Sequence, residues 1–181
     1  MREADTLVRD ELARDGELQS GYHPRMELVH RQNAERLRVI VEQHGWPGTA
    51  LAGTDGAEAA WVVLQHSIAE PEMQRSFLPV LLEAATRGEI PFWQPAYLAD
   101  RICIFEGRPQ IYGTQFDWNE EGEMSLCPLE SPDRVNELRA GVGLPPLDLS
   151  RSQPDQRITP EQAKNHHQQM DAWARSVGWR K

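Results

Sequence analysis

Polar side chains stand where helical periodicity calls for apolar ones, on three separate segments. Asn33 falls in the row Met26, Val29, Leu37 and Ile40, and His30 lies at its edge, one turn before Ala34. Gln65 follows Trp61 by four, and His66 follows Val62 by four, in a stretch that is otherwise nearly all apolar. Asp100 follows Ala96 by four and precedes Ile104 by four, while Arg101 follows Tyr97 by four. Residues three and four apart share a helix face. Burying an unpaired polar group costs about 1–3 kcal/mol, so such groups need one another or a ligand. Taken singly, each has a plain structural explanation. A histidine on an apolar face is commonly a hydrogen-bonded core residue, and an Asp-Arg pair is commonly half of an ion pair. Together they predict one shared polar pocket.

The chemistry these types allow is acid–base chemistry. His66 is the candidate general base or acid, with Asp100 to orient it and Arg101 to hold an anionic group bidentately. Tyr112 completes the candidate catalytic set. Gln110, Tyr112 and Thr114 alternate as they would along a strand, and with Gln115 they offer neutral donors and acceptors. His30, Asn33, Gln65, Gln110, Thr114 and Gln115 are therefore the candidate substrate-binding residues. Hydrolysis is the default reaction for such a set, and elimination, isomerisation or group transfer are equally compatible with it.

No cofactor and no metal are expected. The chain has no G-x-x-x-x-G-K or G-x-G-x-x-G loop and no G-x-S-x-G elbow. His166 and His167 are helix neighbours and point about 100° apart, a poor arrangement for one ion. His30, His44 and His66 could converge with Asp100, but none shows the i, i+4 spacing of a helical histidine pair.

The elements that must position these residues are mostly helices. Periodic segments run over about 3–15, 24–44, 55–68, 71–87 and 93–106, with Pro79 expected to kink the fourth. After Gly107 the period changes. Residues 110–117 and 123–127 read as a β-hairpin across Asn119-Glu120-Glu121-Gly122. A helix follows from Ser131 to about Ala140, and residues 148–158 read as an irregular linker. Thr159-Pro160-Glu161-Gln162 starts a last helix, to about residue 178, that should dock through Met170 and Trp173. The expected architecture is mainly α: a single helical domain over residues 1–147 with one two-stranded hairpin at about 110–127.

Composition narrows the partners. The 181 residues carry 19 Lys+Arg against 28 Asp+Glu, a net charge of −9. That balance disfavours nucleic acid and anionic membranes, which need a positive field. Hydrophobic residues are 39%, yet six Trp, four Phe and three Tyr are too many large apolar groups for a solvated coil. Nothing approaches the ~18 consecutive apolar residues of a membrane span. The first residues are charged throughout, unlike a signal peptide, so a cytoplasmic address is expected, with Cys103 and Cys127 as reduced thiols.

His44-Gly45-Trp46-Pro47-Gly48, Gln65-His66, Asp100-Arg101-Ile102 and Gln110-Ile111-Tyr112-Gly113-Thr114-Gln115 resemble a bacterial family of uncharacterised proteins. The resemblance covers roughly residues 10 to 147. It implies a shared architecture and a shared pocket, and supplies no substrate.

Three readings of function remain at this point. One is an enzyme acting on a small molecule or peptide with a polar or anionic group. Another is a partner-binding protein of the immunity or antitoxin type, for which an acidic surface is apt. The third is a small-ligand-binding domain without chemistry.

Overall fold

A computed structural model describes residues 2–15, 22–148 and 153–181. Among these residues the chain is mainly α, with seven α-helices and a small antiparallel sheet. Two compact units emerge, Met1–Ile90 and Pro91–Lys181.

The first unit holds α1 (Arg2–Asp15), α2 (Pro24–His44), α3 (Thr49–His66) and α4 (Pro71–Thr86). Pro24 occupies the first turn of α2, and the His23 ring accepts the Arg25 N–H at 3.1 Å, satisfying one of the donors a helix start leaves open. Gly45, at φ +75°, stops α2 with its N–H on the Val41 carbonyl. In α3, Gly53 sits at φ +68° and separates the opening turn from the main helix, which is why the apolar period begins only after it. Pro79 lies inside α4, which continues from Pro71 to Thr86. Leu12, Leu37, Leu64 and Leu81 are fully buried, and α1, α2 and α3 are mutual neighbours. Residues 16–21 of the expected loop lie outside the described residues.

The second unit holds α5 (Trp93–Phe105), β1 (Phe116–Trp118), β2 (Glu123–Leu126), α6 (Val135–Gly141), β3 (Gln153–Arg157) and α7 (Pro160–Val177). β1 and β2 form the expected hairpin, with Phe116 opposite Leu126 and Trp118 opposite Met124. Its first strand is shorter than 110–117. β3 pairs antiparallel with the other edge of β2, so part of the stretch read as an irregular linker, 148–158, is a strand. Residues 149–152 lie outside the described residues. Thr159 and Gln162 form the reciprocal cap of α7. Trp173 and Trp179 pack on Phe105, with ring centroids 6.0 and 5.2 Å away. Arg180 donates to the carbonyls of Ile104 and Phe105 at the end of α5. No helix among the described residues is long and apolar enough to cross a membrane.

Candidate metal centre

Asp5, on α1, is 3% exposed and its carboxylate joins two histidines. Oδ1 lies 3.2 Å from Nε2 of His30 on α2, and Oδ2 lies 2.5 Å from Nδ1 of His66 at the end of α3. The two rings stand 5.0 Å apart. His30 is held on its far side as well, with its Nδ1 2.5 Å from the Tyr22 hydroxyl. Three helices thus each aim one donor at a common point. The ligand atoms of Asp5, His30 and His66 all lie within 4.8 Å of one another.

Burial alone pushes the Asp5 carboxyl up. The hydrogen bonds and charges of His30 and His66 outweigh it, and the group ends well below the usual carboxylate range. Burial also raises the Tyr22 phenol, with the nearby Glu27 charge adding to it and Arg31 opposing it, so the hydroxyl keeps its proton. A carboxylate beside two imidazoles is a donor set suited to zinc and other divalent transition ions. Metal binding needs the ring nitrogens facing Asp5 to offer lone pairs. His30 would then carry its proton on Nδ1 and donate it to Tyr22, the kind of outer hydrogen bond that orients a ligating histidine. The His66 side chain is 31% exposed. It borders a cleft of about 260 Å³ shared with Arg9, Tyr22, His23 and Met26.

The other residues singled out by sequence sit differently. Asn33 and Gln65 are buried on α2 and α3 in the same unit as the histidines. Asp100 is fully buried in the second unit, and its carboxylate is consumed locally. It accepts the N–H groups of Ile111 (2.7 Å), Tyr112 (2.9 Å) and Thr114 (3.0 Å) and the Thr114 hydroxyl (2.9 Å). Gln110 clamps the same turn from inside. Its amide donates to the Gln115 and Cys127 carbonyls and accepts the Gln115 N–H. The Gln115 side chain donates to Thr114 Oγ1 at 3.0 Å. Asp100, Gln110, Thr114 and Gln115 therefore build the 110–115 turn, and the carboxylate that holds His66 is Asp5 rather than the expected Asp100. Tyr112 is partly buried there and its phenol is raised by burial and by the Asp100 charge. Arg101 lines a cleft within the second unit.

Family comparison places both sets of residues in one protein family. A family model matches residues 1–152. The chain belongs to DUF6624, a family of unknown function. The DUF6624 match begins at residue 1 and so takes in Asp5, which the resemblance over residues 10 to 147 leaves out. α7 lies beyond it. No curated protein and no solved structure matches this DUF6624 chain.

Asp5 is the candidate site residue that sequence reasoning missed. The apolar positions of α1 read as Leu7, Val8 and Leu12, yet Leu7 is 59% exposed. The inward row is Asp5, Val8 and Leu12, spaced by three and four, with Asp5 and Leu12 buried and Val8 half-buried. The same signal of a polar residue in an apolar row is present on α1 as on α2 and α3.

Proposed function

We propose that this protein is a metal-dependent enzyme of the hydrolytic class, with Asp5, His30 and His66 as the ligands of one divalent transition ion. The observation that carries the reading is the meeting of one buried carboxylate and two imidazoles, from three helices, beside an open cleft. Three protein ligands leave a position for water, whose pKa a zinc-class ion lowers towards neutrality. Asp5 supplies the charge that balances the ion. Tyr22 fixes the His30 ring, and the part-exposed His66 brings the centre to the cleft. At about 260 Å³ the cleft is small for a ligand site, which favours a small substrate. Arg9 and His23 on its wall suit a polar or anionic group on that substrate.

The test is a substrate panel of p-nitrophenyl acetate, p-nitrophenyl phosphate and small amides, assayed on protein loaded with Zn²⁺ or Mn²⁺. The expected result is metal-dependent turnover that falls about a hundredfold or more in Asp5→Asn and His66→Ala. Turnover unchanged in both variants, or none on any of these substrates, contradicts the reading.

A further inference from the structure

The cleft beside Asp5, His30 and His66 carries a cation that the metal centre itself does not use. Arg9 follows Asp5 by four on α1, so the two side chains leave the same face of the helix one turn apart. Neighbours at this spacing have Cβ atoms about 5–6 Å apart, well within the reach of an arginine side chain. Asp5 is buried at the centre, whereas Arg9 is exposed and lines the same cleft.

The carboxylates around this cation are engaged elsewhere. Asp5 is held between two imidazoles, at 3.2 Å from His30 and 2.5 Å from His66. Glu11, further along α1, pairs with Arg25, and Glu27 pairs with Arg31 at 2.7 Å. Among the described residues the Arg9 guanidinium has no ion pair. Its planar fork of N–H donors is therefore available to a group that enters the cleft.

Charge balance sets the class of that group. With a divalent ion on Asp5, His30 and His66, the ion and Arg9 together outweigh the Asp5 carboxylate by two positive charges. A carboxylate ligand offsets one of them, and an amide or a neutral ester offsets none. A phosphate monoester carries about −1.5 to −2 at neutral pH and presents three strong acceptor oxygens. The site has a use for all three: one at the open position of the ion and two on the guanidinium fork.

From this we infer that the cleft takes the phosphate group of a small phosphate monoester, with one oxygen on the ion and two on Arg9. The inference rests on the metal-dependent hydrolysis proposed above and narrows its substrate, with Arg9 as the residue that sets specificity. Hydrolysis of such an ester needs water alone. The bond from phosphorus to the ester oxygen breaks, the water oxygen bonds to phosphorus, and a water proton ends on the departing alcohol. The second product is inorganic phosphate, which keeps the recognised group. The cleft, at about 260 Å³, has room for that group and a short organic part.

The probes are inorganic phosphate, methylphosphonate and acetate, titrated by calorimetry into the full chain after zinc loading and dialysis, with zinc content read on the same samples. Phosphate and methylphosphonate should bind at least about tenfold more tightly than acetate. Arg9→Met should weaken both about tenfold or more, with acetate changing less. Arg9→Lys keeps the charge without the fork and should fall between. Zinc content should stay at about one ion per chain in both variants, since Arg9 is not a ligand. Turnover of p-nitrophenyl phosphate should fall about tenfold or more in Arg9→Met while that of p-nitrophenyl acetate is unchanged. Zinc-loaded protein that binds phosphate no better than acetate, or equally well after Arg9→Met, overturns the inference and leaves the metal centre standing. Turnover of the acetate ester without the phosphate ester overturns it and leaves the hydrolytic reading standing. A chain that holds no zinc, or that turns over neither ester, overturns both.

Discussion

Asp5 and His66 stand 61 positions apart in the chain and meet at 2.5 Å. The same carboxylate reaches His30, 25 positions away, so one side chain ties α1 to both α2 and α3. A buried carboxylate held this way is costly to leave alone, because each lost partner exposes a charge to a medium that solvates it poorly.

Removing the two histidines should therefore have unequal effects. His30 is buried and joins Asp5 to Tyr22, so His30→Ala strips a partner from both and should cost about 3 kcal/mol. His66 is partly exposed and water can replace it, so His66→Ala should cost about 1 kcal/mol. Urea denaturation of the metal-free proteins measures both. A larger loss for His66→Ala than for His30→Ala contradicts the described burial.

Asp100 is expected to be a folding residue. Asp100→Ala leaves the N–H groups of Ile111, Tyr112 and Thr114 without their acceptor and should destabilise by about 3–5 kcal/mol. Metal stoichiometry of the fraction that remains folded should be unchanged. A stable Asp100→Ala that has lost metal would show that Asp100 serves the centre.

Much of this organisation is legible in the sequence, and the exceptions have physical causes. The apolar period locates α2, α3 and α5, and the polar intrusions at His30 and His66 belong to the centre. The row Asp5, Val8 and Leu12 carries the same signal, hidden because Leu7 and Val8 look like the apolar face. Nothing local says that Asp5 meets His66, since that contact exists only after three helices pack. The alternation Gln110, Tyr112, Thr114 reads as a strand, yet the Asp100 carboxylate captures backbone N–H groups that a ladder would use. β3 includes a proline and has little strand character of its own. It pairs with β2 on the far side of the hairpin, a tertiary effect that no local pattern announces.

The Cys127 thiol should be almost inert. Burial first, then the charges of Asp117 and Asp100, push it up to about 12. At pH 8 its thiolate fraction is then more than about a hundredfold below that of a free cysteine. Iodoacetamide should modify it slowly in the native protein and readily in urea. A thiol whose folded value is raised adds stability below its unfolded value of about 8.5, and that contribution is lost as pH climbs from there towards about 12. Stability should therefore decline over this alkaline window, and less so in Cys127→Ala. Fast native alkylation would contradict the burial.

Gly122 should resist substitution. It sits at φ +78°, and a Cβ there would lie 2.0 Å from the Ile158 carbonyl oxygen. Gly122→Ala combines backbone strain with a clash at the junction of β3 and α7 and should cost about 2–3 kcal/mol, read from thermal or urea unfolding. A neutral Gly122→Ala would mean that β3 does not lie against the hairpin turn.

The most direct measurement is the metal content of the protein after equilibrium dialysis against Zn²⁺, read by elemental mass spectrometry beside single variants. The expected result is about one tightly held ion per chain, with affinity reduced about 10–100-fold or more in each of Asp5→Asn, His30→Ala and His66→Ala. A His166→Ala/His167→Ala double variant should retain the ion. Wild-type protein that holds no zinc, or zinc held equally well after Asp5→Asn, would contradict the metal centre.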